Sequence, residues 1–169
     1  MKLLLIKIII LFTKTLNTIF LRITKVNILY FFNSINDENY KNIEINKKNI
    51  KFFSPNKDIN WRADTLYTKE PETIDFINKF DSKSKKIIFW DIGSNIGLYS
   101  IYAAVVHKNI EVISFEPSVN NLRVLSRNIS KNKLTNKIKL ITNPLLDKPN
   151  LFSSMKENST KEGSALNTF

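Results

Sequence analysis

The strongest constraint on the fold is one continuous stretch: Lys86-Ile-Ile-Phe-Trp90, then Asp91-Ile-Gly-Ser-Asn-Ile-Gly97, then Leu98 to Val106. A short apolar run reads as a buried strand, the two glycines punctuate a tight loop, and the apolar stretch beyond reads as a helix. The pattern recurs. Val112-Ile-Ser-Phe115 is a second apolar run ending at Glu116-Pro117, and a helix is predicted from about Ser118 to Ser130, with Leu122, Leu125 and Ile129 on one face. Ile138-Lys-Leu-Ile141 is a third run. Strands alternating with helices of this length pair in parallel, because a helical crossover returns the chain to the same end of the sheet. The expected class is α/β, a doubly wound sheet taking ligands at the carboxyl ends of its strands, where the 91–97 loop and Glu116 both fall.

The loop residues describe a mononucleotide-like ligand. Gly93 lets the backbone turn tightly and approach a ligand, and Gly97 lets the helix pack closely on the strand. Glu116, at the tip of the second strand, is placed to accept hydrogen bonds from two ribose hydroxyls. Two departures from the dinucleotide fingerprint favour one ligand over another. Position 95 is Asn, and the residue before the loop is Asp91. A carboxylate there repels a pyrophosphate and attracts the ammonium group of S-adenosylmethionine, directly or through water. Asn95 adopts the left-handed backbone conformation more readily than most non-glycine residues, so the turn stays feasible.

Composition narrows the chemistry. With 169 residues, 43% of them hydrophobic, the chain can bury one domain core. There is no cysteine and a single histidine, His107, which removes disulfides, thiol nucleophiles, Cys-containing zinc sites and multi-histidine metal centres. No metal site is expected. The formal charge of +11 is spread along the chain rather than gathered into an aromatic-studded patch, so nucleic acid is not an expected partner. His107 falls at the far end of the helix after the loop, and is expected to be a surface residue. No catalytic base is assigned.

Residues Leu3 to Phe12 are apolar, but Lys7 interrupts them, and Lys14, Arg22 and Lys25 follow before the roughly 18 uninterrupted apolar residues of a spanning helix accumulate. No small-residue cleavage site follows the run, which disfavours a secretory signal. On a helical wheel Lys7, Lys14, Thr18, Arg22 and Lys25 share one stripe, blurred at its edge by Leu11 and Leu21, with apolar residues around the rest. Such a helix either lies in a lipid interface or docks on protein. Ile43 and Ile45, then Ile50 and Phe52, alternate with polar residues about a turn at Asn46 to Asn49, predicting a β-hairpin. Pro71, flanked by Glu70 and Glu72, predicts the start of a helix running to about Phe80, with Ile74 and Ile77 on one face. Arg62 and Thr65 either fold over the ligand or sit in an exposed linker.

Several spaced motifs agree, in order, with a known family. Glu-Pro-Glu-Thr73, Phe-Trp-Asp-Ile-Gly-Ser-Asn-Ile-Gly-Leu-Tyr-Ser100, Phe-Glu-Pro-Ser118, Asn121-Leu122 and Asn128-Ile-Ser-Lys-Asn132 resemble the FkbM-type methyltransferases, class I S-adenosylmethionine enzymes that mostly methylate oxygen. The resemblance spans about Arg62 to Asp147. It implies a Rossmann-like class I methyltransferase fold with Asp91, Gly93, Ser94, Asn95, Gly97 and Glu116 lining the cofactor site. The family's fourth strand leads into an acidic Lys-Ile-Asp-x-Glu-Gly-like motif, and nothing like it follows Ile141. The domain is therefore expected to be incomplete, with an unpaired sheet edge, an uncovered apolar face, and weak or no activity alone.

The expected organisation is an amphipathic helix over residues 1–36, a β-hairpin and lead-in helix over 37–80, the cofactor-binding half of a methyltransferase domain over 81–147, and a polar tail over 148–169. The methyl acceptor, small molecule or glycan, is left open. The expected location is the cytoplasm, with peripheral membrane contact through residues 1–30. The rival reading is a membrane-surface interaction module built on a degenerate nucleotide-binding fold.

Overall fold

The computed structural model describes residues 2–81, 83–145 and 155–165. The chain divides into two compact units, Met1–Asn39 and Tyr40–Phe169. The first holds two helices, α1 (Lys2–Thr24) and α2 (Leu29–Asp37), where the apolar periodicity alone reads as one. The break has a local cause. Lys25 adopts a left-handed conformation (φ 61°), and its amide donates back to the Leu21 carbonyl at 3.0 Å, closing α1. Asn27 then turns the chain, its Oδ1 accepting from the Leu29 amide at 3.0 Å.

The second unit begins with the expected hairpin, β1 (Tyr40–Ile45) against β2 (Lys48–Phe53). Its turn is shorter than the sequence suggests. Ile45 pairs with Lys48, so only Asn46 and Lys47 turn, both with positive φ (50° and 60°), as a two-residue turn matched to the twist of the strands requires. Next is α3 (Lys57–Asp64), which apolar periodicity does not reveal because only Ile59 and Ala63 of its eight residues are buried. Asn56 caps it, Oδ1 accepting from the Ile59 amide at 3.0 Å. α4 (Pro71–Asn78) starts on its proline and buries Ile74 and Ile77 as predicted.

Three strands, β3 (Ile87–Ile92), β4 (Ile110–Phe115) and β5 (Ile138–Ile141), form a parallel sheet in sequence order. α5 (Leu98–Val106) and α6 (Val119–Lys131) are its crossovers. The register sets Asp91 opposite Ser114 and Ile92 opposite Phe115. Alternation then sorts the strands into two faces. Phe89, Asp91, Val112, Ser114 and Ile138 face the helices. Ser100 of α5 hydrogen-bonds both Asp91 and Ser114, which fixes that side. Ile88, Trp90 and Ile92 point the other way and stay 61%, 54% and 64% exposed. Among the described residues the fold is thus a Rossmann-like α/β unit with its crossover helices on one face of the sheet, where a doubly wound arrangement has them on both.

The core sits between the helices, the hairpin and the covered sheet face, around Phe52, Phe53, Ile96, Ile101, Val112 and Leu125. Each such side chain contributes roughly 1.5–3 kcal/mol by leaving water. Polar side chains complete it where backbone groups would be stranded. Asn128 of α6 accepts from the Phe53 amide (2.7 Å) and donates to the Ile96 carbonyl (2.9 Å). One turn on, Asn132 accepts from the Lys51 amide (2.9 Å) and donates to its carbonyl (2.8 Å), acting as a partner strand for the edge of β2. Lys137 donates to the carbonyls of Ala104 (2.8 Å) and His107 (2.6 Å), satisfying the end of α5.

His107 is not the surface residue expected from its position. It is buried, its Nε2 2.8 Å from the Ile77 carbonyl and its ring 5.6 Å from that of Phe80. Its neighbours come from and just beyond α4, a long-range contact that its own helix does not announce.

Candidate functional site

The loop after β3 is tied down at nearly every residue. The amides of Gly93 and Ser94 both donate to the Phe115 carbonyl, at 2.9 and 3.0 Å. The Asn95 amide donates to Glu116 Oε2 at 2.7 Å, and the Ser118 amide to Glu116 Oε1 at 2.9 Å. Glu116 itself is held at the tip of β4 by its amide's bond to the Ile141 carbonyl (3.0 Å). A carboxylate has about four acceptor positions, so two remain after these bonds. The backbone bears out the conformational demands of the loop: φ is 76° at Gly93, 51° at Asn95 and 84° at Gly97.

The two glycines differ in role. A Cβ on Gly93 would meet nothing within 4 Å, so the left-handed backbone is what calls for glycine there, and open space lies beside it. A Cβ on Gly97 would collide with Leu125 of α6. The expected close approach is therefore made, but to the neighbouring helix rather than to the strand.

Two pockets meet at this loop. The first, a cavity of about 260 Å³, is mainly apolar; Ile92, Phe115, Pro117, Pro144 and Leu145 line it together with Glu116 and Asn121. The second, about 290 Å³, is polar and takes in Arg62, Thr65, Lys69, Glu70, Thr73, Asp91, Ser94 and Tyr99. Ile92, Gly93 and Asn95 line both. The two acids thus flank one loop from opposite sides, Glu116 in the apolar chamber and Asp91 in the polar one. Gly97 lines neither. Arg62, in α3, and Thr65, at its C-terminal end, line the polar chamber.

The charges are organised. Burial pushes the Asp91 carboxyl above its ordinary range, against the hydrogen bonds from Ser100 and Ser94 and with the nearby Glu116 charge adding to the rise. Glu70 is held low, first by its hydrogen bond from Lys69 (2.9 Å apart) and then by the Tyr99 hydroxyl. Desolvation and Glu70 together push Tyr99 far up, so it stays a donor. Among the described residues no cluster of three His, Cys, Asp or Glu side chains is arranged to hold a metal ion.

Residues 155–165 complete the wall, a contribution the sequence does not signal. The Ser164 carbonyl accepts from Asn95 Nδ2 (2.7 Å) and Asn121 Nδ2 (3.1 Å), while Asn121 Oδ1 accepts from the Gly163 amide (2.8 Å). Arg62 Nε donates to the Gly163 carbonyl at 2.7 Å. Glu157 takes hydrogen bonds from Ser118 and Asn120, and Glu162 pairs with Arg123 at 2.8 Å. The rest of the predicted polar tail, residues 148–154 and 166–169, lies outside the described residues, as does Asp147. With Asn95 Nδ2 committed to Ser164, Asn95 Oδ1 is left as the one buried side-chain oxygen or nitrogen without a partner among the described residues.

No protein-family model matches the sequence, and no curated protein matches it. Solved structures do resemble part of it. A precorrin-6y C5,15-methyltransferase from Geobacter metallireducens shares 23% identity over 47% of this chain and 41% of its own, with a TM-score of 0.38. An S-adenosylmethionine-dependent methyltransferase from Agrobacterium tumefaciens shares 12% over 61% of this chain and 32% of its own, at 0.47. An O-methyltransferase family protein from Burkholderia thailandensis shares 12% over 53% and 26%, at 0.42. The chain spans between about a quarter and two-fifths of the length of these proteins, and its α/β class rests on its own strand order and crossovers.

Proposed function

We propose that the second unit binds S-adenosylmethionine and that the chain is a methyltransferase of the FkbM type, acting on oxygen and weakly active or inactive as these 169 residues alone. The observation that carries the reading is Asn95. Asn95 lines both the apolar and the polar chamber, its buried Oδ1 has no partner among the described residues, and a ligand N–H or O–H that reached it would remove a desolvation penalty of about 1–3 kcal/mol. The residues fit such a ligand on both sides. The apolar chamber suits a purine against Phe115 and Pro117, with two open acceptor positions on Glu116 for ribose hydroxyls. The polar chamber suits an amino acid's two charges, its ammonium toward Asp91 and Glu70 and its carboxylate toward Arg62.

Bound S-adenosylmethionine supplies an electrophilic methyl group. The chain's own part is to orient and desolvate: the loop amides fix Glu116, and Asn95 links the chambers. Asp91 and Glu70 in the polar chamber disfavour the pyrophosphate of NAD. No side chain is assigned as the base for an acceptor hydroxyl, since His107 is buried against α4. The acceptor, small molecule or glycan, stays undefined.

Titration calorimetry on the full chain tests this. S-adenosylmethionine is expected to bind and NAD not to, and Glu116→Gln is expected to weaken binding by roughly 10- to 100-fold, the worth of a charged hydrogen bond. Asn95→Ala should weaken it with no loss of helical circular dichroism. Equal binding of NAD, or variants that bind as tightly as the parent, would overturn the reading.

A further inference from the structure

The first unit carries a surface that the proposed cofactor chemistry does not use. α1 is 23 residues long, with a mean hydropathy of 1.9 in its most apolar window, and Asn17 is its only buried residue. By length and composition it could cross a membrane. Before Asp37 the only charged side chains are Lys2, Lys7, Lys14, Arg22 and Lys25. Lys7, Lys14 and Arg22 fall within an arc of about 80° on the helix, at 100° per residue. Leu5, Phe12, Leu16 and Ile23 lie on the opposite side, all well exposed.

The threonines of α1 are already satisfied. Thr13, Thr15, Thr18 and Thr24 each donate their hydroxyl to the carbonyl four residues earlier, at 2.8–3.0 Å. A threonine so bonded asks nothing of water, which is how such residues are accommodated in lipid. That leaves the cation stripe, and Lys2 at the start of the helix, as the parts of α1 that call for hydration. α2 adds Tyr30, Phe31, Phe32 and Ile35, each more than half exposed, and residues of the kind that sit well at a headgroup boundary.

We propose that residues 2–36 form a membrane-interface element for anionic bilayers, with α1 lying in the plane of the surface. Charge complementarity selects the partner: a basic segment without acids matches anionic headgroups, and a protein groove of matching apolarity has no need of the stripe. The stripe also selects the orientation. In a spanning helix Lys14 would sit next to the midpoint of Lys2–Thr24, at the bilayer centre, with Lys7 and Arg22 along the same edge. Lying flat brings all three to the headgroups at once. This element is independent of the cofactor reading.

The test is flotation of the full chain with vesicles of phosphatidylcholine alone, or with phosphatidylglycerol at about 30%, a strongly anionic surface. Flotation is expected with the anionic vesicles, reduced by high salt and released by alkaline carbonate. The triple variant Lys7→Gln, Lys14→Gln, Arg22→Gln keeps helix propensity, and each lost cation is worth about fivefold, so partitioning should fall by roughly 100-fold. An unchanged thermal unfolding curve for that variant separates lost binding from lost folding. Should the triple variant unfold, Ile9→Asp alone is expected to abolish flotation. Salt- and carbonate-resistant flotation with both vesicles, meaning a spanning helix, overturns the proposal, and so does the absence of flotation with either.

Discussion

Two residues hold costs that a single substitution would expose. The Asp91 carboxyl is raised, mainly by burial, so the folded state holds its proton more tightly than the unfolded chain does. The stability it contributes is present below the unfolded value of about 3.9 and is lost as pH rises through the higher native value. Asp91→Asn keeps an acceptor for Ser100 and removes that slope. In urea melts at successive pH values, the variant should gain on the parent as pH rises from about 4, then hold a constant lead. Parallel curves would mean that Asp91 is not the source. Asn128 is the opposite case, a neutral side chain bonded at both ends. Asn128→Ala strands the buried Phe53 amide and Ile96 carbonyl, and should cost about 2–4 kcal/mol by denaturant titration. A loss below about 1 kcal/mol would mean that water replaces both bonds.

Among the elements, legibility followed the physics. β3, β4, β5 and the loop could be read because buried parallel strands are short, dense apolar runs and because left-handed turns call for glycine or asparagine. α3 could not, since two buried residues in eight leave no period to detect. His107 was misplaced because what buries it comes from and just beyond α4. The wall built by residues 155–165 uses backbone carbonyls of Gly163 and Ser164, and a carbonyl carries no residue code. One strand carries exposed apolar side chains on the face away from the helices, which has a measurable consequence. Ile88, Trp90 and Ile92 form an exposed apolar strip, and the Trp90 ring lies 5.3 Å from that of the buried Phe115. Trp90→Lys should lower light scattering at high protein concentration while leaving the unfolding midpoint within roughly 0.5 kcal/mol, as for surface positions. Undiminished scattering would locate the association elsewhere.

At the scale of the molecule, the two units divide the labour of the sequence. The first is legible as an amphipathic pattern and expresses charge and apolarity at a surface. The second is legible as strand, loop and helix, and gathers its polar chemistry at one sheet end. The proposed cofactor site belongs to the second unit and the proposed lipid contact to the first, so the two can be perturbed separately. One feature of the second unit also orders its folding in time. Asn56 and Arg62, beside the polar chamber, bond Glu162 and Gly163, partners about a hundred positions downstream. During synthesis, α3 and the glycine loop emerge long before those partners exist. The wall of the polar chamber therefore closes last: α3 and the glycine loop keep open hydrogen-bond positions until Gly163 and Ser164 have left the ribosome.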